Sequence, residues 1–397
     1  MSNALARCAT ALLIAGAALG EELSAELKSK QPGVSDRSIL FGQSAAFSGS
    51  AQELGRNMRL GMQAAFREVN EQGGVHGRRL ELVSLDDGYE PEAAIDNTRQ
   101  LIEGEQVFAL IGAVGTPTSR ATVPIAEDAG VPYIAPFTGS SFLRDPKWRG
   151  VVNLRASYYQ ETEEIVARLT EDLDIKRIAI MYQDDSFGRE GFRGVRRALE
   201  SRQLSLVAVG VYPRNTKAVK TALLDLRSGQ PQAVILVGTY QPVATLIAWA
   251  QATNFTPIFV TISFVGSKAL ARELGPAGTG VIVSQVVPFP TATEPAIVGS
   301  YRRAIMAYAP RAEPSFVSFE GYLAGRLAIA ALTGCGRAVS RACLLDNLRS
   351  ADVINLDGFE LRYGDGDNQG SDAVFLTVLD SDGQYRPIRS LKGATKP

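Results

Sequence analysis

At 397 residues, with 45% hydrophobic and 21% charged side chains, the chain has the length of two ordinary domains or one large α/β unit and the balance of a globular protein. Wholesale disorder, collagen-like repetition and a small disulfide scaffold are excluded. Lys+Arg 41 against Asp+Glu 42 leave a formal charge of −1 with no long basic run, so nucleic acid is not a suitable partner.

In chain order, Arg7 precedes an apolar run from Ala9 to Leu19 that is too short to span a bilayer, and Ala18-Leu19-Gly20 offers a small-x-small cleavage site before Glu21. Residues 1–20 read as a secretory signal peptide, with a frayed N-terminal helix as the alternative. Cys8 precedes the apolar run, which argues against lipid attachment. No later segment is apolar enough to cross a membrane, and the mature protein is expected to be soluble and exported.

Short β-branched or aliphatic runs then alternate with helical patterns. Strands are predicted at Ser38–Gln43, Arg79–Leu85, Val107–Ile111 and Pro132–Ala135, with helices near Glu53–Glu71, Pro91–Glu103 and Thr118–Ala129. The Val151–Leu154 strand leads to a second set: strands Arg177–Tyr182, Ser205–Val211, Ala233–Val237, Ile258–Val260 and Val281–Ser284. Its helices lie near Gln160–Leu173, Gly188–Ser201, Thr216–Arg227, Pro242–Ala252 and Ser267–Leu274. After residue 290 come helices near Glu294–Tyr308, Ser315–Leu332 and Ser340–Arg349, then strands near Phe359–Arg362, Ala373–Leu379 and Tyr385–Ile388. The pattern predicts an α/β fold of two doubly wound parallel-sheet lobes, because βα alternation requires right-handed crossovers and a sheet covered on both faces. The terminal block is too small to be a domain and is expected to complete the two lobes by crossing back between them.

If Cys8 leaves with the signal, Cys335 and Cys343 remain, close in sequence and in a compartment that permits disulfides. They are predicted to pair as a local staple worth about 2.6 kcal/mol on the chain-entropy picture. Two free buried thiols are the alternative.

Several stretches carry a resemblance. Gly61-Met62-Gln63-Ala64-Ala65, Glu68-Val69-Asn70, Gly73-Gly74-Val75-His76-Gly77-Arg78, Asp86-Asp87 and Pro91 resemble the N-terminal signature of periplasmic binding proteins of the branched-chain amino acid type. The likeness continues through Ile111-Gly112, Thr116, Ser119, Gly130-Val131-Pro132, Ile134 and Pro136-Phe137-Thr138-Gly139. In the second set it runs through Ile178-Ala179-Ile180, Asp184, Phe187-Gly188, Leu236-Val237-Gly238 and Tyr240. The resemblance implies a type I periplasmic binding fold, two lobes joined by a three-stranded hinge. It implies closure around a small molecule in the periplasm and delivery to an inner-membrane ABC permease by a monomer without a cofactor. The lobes are expected at 37–155 plus 289–358, and at 156–288 plus 359–394.

In open α/β sheets ligands sit beyond the carboxyl ends of the strands, where helix N-termini present free N–H groups. The loop from Gly112 to Ser119 is such a place, with Thr116, Thr118 and Ser119 as hydroxyl donors; a plain helix N-cap is its other reading. By family analogy Phe137, Thr138, Gly139 and Ser140 provide a carbonyl, a hydroxyl or N–H and an aromatic wall, although such a cluster alone is just a turn. Phe187 and Tyr240 match positions where the family places rings over its ligand, with buried core aromatics as the alternative. Gln43, Phe47, Ser48 and Leu54 lie in or beside the first βα loop, which rims the cleft.

Amino-acid-binding members hold the ligand ammonium with a second-lobe carboxylate, since a buried cation needs a paired charge. Here Ser263 stands at that place, followed by Phe264. Asp184 or Asp185 could substitute, yet an Asp before a helix is more often a cap. The cleft is thus expected to suit an aromatic or aliphatic carboxylate, or a larger uncharged or apolar molecule such as a lipid, more than a free branched-chain amino acid. Tyr89 and Gly115 stand near the positions of a disulfide found in some members. Arg155, followed by Tyr158 and Tyr159, either binds a carboxylate across the cleft or forms a structural hinge salt bridge. His76 is the only histidine and sits in a Gly-rich turn. With no Walker loop, nucleophile elbow or Cys/His metal spacing, no enzyme activity and no metal are expected; a hydrolase using scattered acids and a sensory lobe acting on a separate partner are the alternatives.

Overall fold

The computed structural model describes residues 31–393, so the predicted signal peptide lies outside the described residues. The chain begins with β1 (Ser38–Ala45), α1 (Gln52–Glu71), β2 (Arg79–Asp86), α2 (Pro91–Arg99), β3 (Ala109–Ile111), α3 (Thr116–Asp128), β4 (Tyr133–Ile134) and β5 (Val151–Val152). These strands form one five-stranded sheet in the order β2-β1-β3-β4-β5, parallel throughout. β1 is buried along most of its length because helices cover both faces, and Ile39, Phe41 and Ala45 lie in the core.

There follow α4 (Tyr158–Ala167), β6 (Ile178–Gln183), α5 (Ser186–Glu200), β7 (Ala208–Tyr212), α6 (Lys220–Ser228), β8 (Ala233–Val237), α7 (Tyr240–Ala252), β9 (Ile258–Thr261), α8 (Ser267–Leu274) and β10 (Ile282–Gln285). Three helices come next, α9 (Ala296–Tyr308), α10 (Phe316–Gly334) and α11 (Arg341–Ser350), then β11 (Ile354–Leu356), β12 (Phe359–Leu361), β13 (Phe375–Leu379) and β14 (Tyr385–Ile388). The second sheet has seven strands in the order β14-β13-β10-β9-β8-β6-β7. Its centre is parallel as expected, but β13 and β14 join antiparallel at the edge, so the sheet is mixed.

The predicted Phe359–Arg362 strand belongs to neither sheet. It pairs with β11 as a two-stranded hairpin around Asp357 and Gly358, both at positive φ (47° and 92°). The Asp-Gly turn between Leu356 and Phe359 is the sequence signal for this hairpin. The expected lobe boundary at 358/359 therefore falls at the hairpin's turn. Two predicted helices also end differently: α2 and α4 each widen into a π-helical turn, Gln100–Gly104 and Arg168–Asp172.

α10 lies against α1 closely enough that a methyl on Gly61 would collide with the Ser318 carbonyl, and one on Gly321 with that of Met58. This packing attaches the late helices to the first sheet. The chain passes between the sheets three times, near 153–157, 286–295 and 362–374. The first and third passages are joined by backbone hydrogen bonds, Asn153 N–H to Asn368 O (2.8 Å) and Gly370 N–H to Asn153 O (2.9 Å). Cys335 and Cys343 form the expected disulfide, stapling the end of α10 to α11. Among the described residues no helix is long and apolar enough to cross a membrane.

Candidate functional site

At the carboxyl end of the first sheet, the loops after β3 and β4 run side by side, linked through a parallel bridge between Val114 and Phe137. Gly112 and Gly115 have φ of 65° and 106°, which lets the first loop turn tightly into α3. Thr116 and Thr138 are fully buried, and their hydroxyls meet at 2.7 Å. Thr118 donates to the Val114 carbonyl (2.6 Å), and Ser119 accepts from the Tyr133 hydroxyl (3.3 Å). This loop therefore starts α3 while its Thr116 hydroxyl ties it to the loop after β4.

The second lobe meets this wall with rings. Phe264, on the turn after β9, has its centroid 4.5 Å from Phe187, 5.5 Å from Phe137, 6.1 Å from Tyr89 and 6.5 Å from Tyr158. Phe187 opens α5, held by Asp185, whose carboxylate accepts from the Phe187 and Gly188 N–H groups (2.9 and 3.1 Å). Asp185 is thus a cap, and burial raises its pKa. Asp184 pairs on the surface with Arg189 (2.8 Å). Tyr240 opens α7, and its buried hydroxyl has no hydrogen-bond partner among the described residues. Leu54 reaches Gly266 across the cleft, where a Cβ would strike its methyl.

Beneath the rings lies a charged group. Arg155 is fully buried; its Nη2 contacts Glu161 Oε1 at 3.3 Å and donates to Ser263 Oγ, and its Nη1 stands 3.6 Å from Glu320 Oε1. Ser263 N–H and Oγ donate to Glu161 at 2.8 and 3.0 Å, and Ser284 Oγ adds a third bond at 2.6 Å. Burial works against the Arg155 charge, yet Glu320 and Glu161 outweigh it and hold its pKa above the usual arginine value. Burial pushes Glu320 up to about 7 against the pull of Arg155. The Arg155 guanidinium stands 4.8 Å above the Phe137 ring. Its Nε and Nη1, the Ser140 Oγ and the Tyr158 hydroxyl are all buried without a hydrogen-bond partner among the described residues.

Of the residues singled out in the sequence, Phe137, Phe187, Phe264, Arg155 and Ser263 are brought together, with Thr116, Thr138, Gly139 and Ser140 in the adjoining loops. Gly139 accepts from the Tyr158 N–H (2.7 Å), and the Tyr158 ring lies where a side chain at 139 would go. Gln43 is occupied internally, donating to Gly112 O (2.8 Å) and accepting from Ser84 (3.1 Å). Phe47 lies outside the ring cluster, under Arg59 (4.1 Å). Glu161, Glu320 and the place of the Tyr89 ring beside Phe264 were missed. Glu320 had a signal: it is a lone acid in the apolar run Phe316–Ala324, and a buried charge needs a partner.

The cleft mouth is bridged as well. Glu90 accepts from Arg214 (2.5 Å) and Asn215 (2.6 Å), and Glu53 pairs with Arg272 (3.3 Å). On the flank, a cavity of about 890 Å³ is lined by Asn57, Lys268, Arg272, Phe289, Phe316 and Tyr385 among others. No cluster of His, Cys, Asp and Glu suited to a metal occurs among the described residues.

The profile of the periplasmic binding protein family matches residues 38–384. The chain is 30% identical over 214 residues to the Leu/Ile/Val-binding protein homolog 7 of Brucella abortus (strain 2308), covering 51% of this chain and 52% of that relative, about half its length. The structure of a possible leucine/isoleucine/valine-binding protein from Rhodopirellula baltica SH 1 superposes with a TM-score of 0.85 at 38% identity, covering 89% of this chain and 96% of that one. An ABC transporter solute-binding protein from R. palustris in complex with benzoate shares the fold, with a TM-score of 0.79 at 19% identity over 88% of this chain and 95% of that one.

Proposed function

Because the chain belongs to the periplasmic binding protein family, we propose that it captures a small molecule between its two lobes by hinge closure and delivers it to an inner-membrane ABC permease, without chemistry. The observation that carries this reading is the meeting of rings from both lobes, Phe264 against Phe137 and Phe187, over N–H groups of Arg155 that make no hydrogen bond among the described residues. The first lobe supplies the strand-end loops, and second-lobe contacts favour the closed form through differential binding. In this reading residues 1–20 direct export to the periplasm, and the protein works as a monomer without a cofactor. We place the β11–β12 hairpin with the first lobe and the third passage at 362–374, and keep 155/156 and 288/289 as the other proposed boundaries.

The ligand we propose is a carboxylate with an aromatic or apolar body. Ser263 puts a neutral group where an ammonium would need a charge, and the R. palustris neighbour of the same fold binds benzoate, a compound of that class. A long lipid suits the flank cavity poorly, since Lys268, Arg272 and Arg311 line it. Calorimetry on Tyr240→Ala tests the reading. The variant is expected to bind at least tenfold more weakly while its ligand-free melting temperature stays within a few degrees, and unchanged affinity removes Tyr240 from the site.

A further inference from the structure

Glu161 and Glu320 face the same guanidinium unequally. Glu161's two oxygens take three protein hydrogen bonds, from the N–H and hydroxyl of Ser263 and the hydroxyl of Ser284, besides the Arg155 contact at 3.3 Å. That carboxylate has no acceptor capacity left for a ligand ammonium. Glu320 meets Arg155 only at 3.6 Å and accepts no hydrogen bond among the described residues. Arg155 therefore keeps Nε and Nη1 without a hydrogen bond among the described residues; the Ser140 and Tyr158 hydroxyls are likewise without one there, and the Arg155 guanidinium lies over the Phe137 ring. A planar fork of donors under an aromatic wall fits a carboxylate on an aromatic body.

We propose that the solute is an aromatic carboxylate lacking an ammonium, that Arg155 takes its carboxylate in exchange for Glu320, and that Glu320 takes up one proton from solvent as the solute binds. This rests on the carboxylate reading of the cleft given above. The charge count requires the proton. Arg155 and Arg144, whose Nη2 donates to the Arg155 carbonyl (2.8 Å), balance Glu161 and Glu320, and a further buried anion leaves one negative charge in excess unless an acid is neutralised. The charged groups acting on Glu320 are Arg155, Glu161 and Arg144; Tyr158 faces Arg155 from α4 as a neutral hydroxyl. Burial already lifts Glu320 to about 7, and losing Arg155 to a ligand anion lifts it further. Below that pH the free protein carries the proton already and binding is flat; above it each pH unit costs tenfold in affinity.

The test is calorimetry with benzoate, 4-hydroxybenzoate, phenylacetate and leucine, in two buffers of different ionisation enthalpy, from pH 5.5 to 8.5. The expected result is uptake of close to one proton per aromatic carboxylate bound at pH 8, almost none at pH 5.5, and leucine bound at least 100-fold more weakly. Glu320→Gln should flatten the profile and bind at pH 8 as the wild type does at pH 6. A carboxylate that binds the wild type with no proton uptake and a constant Kd overturns this inference and leaves the carboxylate reading in place. Leucine binding more tightly than every carboxylate, or no probe binding at all, overturns both. The wild-type proton count decides the matter even if the variant fails to fold.

Discussion

Glu161 and Glu320 are both buried and both face Arg155, yet their surroundings differ. Glu161, at the start of α4, is enclosed by donors from Ser263 and Ser284, which come from the second lobe. Glu320 projects from the apolar α10 with one loose ionic contact. The difference shows how one protein handles the desolvation of two charges. Hydrogen bonds offset it on the second-lobe side, whereas on the other side it remains as a carboxyl pushed up to about 7. The first arrangement fixes structure and the second leaves a group free to change state.

Arg155→Met tests the pair most severely. It leaves both carboxylates without their cation, and the melting curve should report a loss of about 3–5 kcal/mol; a loss below about 1 kcal/mol would mean that neither acid depends on it. Next is the pH dependence of the ligand-free protein. A carboxyl raised from 4.5 to about 7 by burial contributes stability that is present at low pH and lost as pH rises through its folded value. Wild type should therefore lose roughly 2–3 kcal/mol more than Glu320→Gln between pH 5 and 8 in urea unfolding. Asp87, lifted to about 6 by burial, slopes both proteins alike, so the difference isolates Glu320. Parallel curves would place Glu320 in an environment no different from water.

Glu161→Gln should cost about 2 kcal/mol in the melting curve, because it turns an acceptor toward the Ser263 N–H or Arg155 into a donor. No measurable cost would mean that the donors around Glu161 hold it no better than the single loose contact holds Glu320, and would erase the contrast. The smallest expected effect is that of Ser284→Ala, about 1 kcal/mol for one hydrogen bond of 2.6 Å to a charged acceptor. A null result there would mean that the Ser263 bonds alone satisfy the carboxylate.

Much of the fold was legible because parallel strands buried on both faces announce themselves as short apolar runs; β8, Ala233–Val237, coincides with its prediction. The disulfide followed from two cysteines eight residues apart in a chain expected to be exported. Of the site, the rings at Phe137, Phe187 and Phe264 and the neutral Ser263 were visible through the family resemblance. Gln43 looked like a rim residue by its loop position, but its amide braces Gly112 and Ser84 instead. Asp357-Gly358 marks a hairpin by turn chemistry, whereas the strand after it is expected from the sequence among those that complete the second lobe.

What the sequence by itself determined is local: which runs form strands and helices, where the chain turns, which cysteines are close enough to join, and that Ser rather than an acid stands at 263. Those features depend on neighbours within one helix or strand, whose spacing the chain carries directly. The partnership of Arg155 with Glu161 and Glu320 was decided only in three dimensions. Arg155 and Glu320 are brought within 3.6 Å when α10 packs onto α1 and a passage between the sheets runs beneath the rings. Desolvation and charge pairing act through space, so the pairing of Glu320 with Arg155 could not be known before the lobes were folded together.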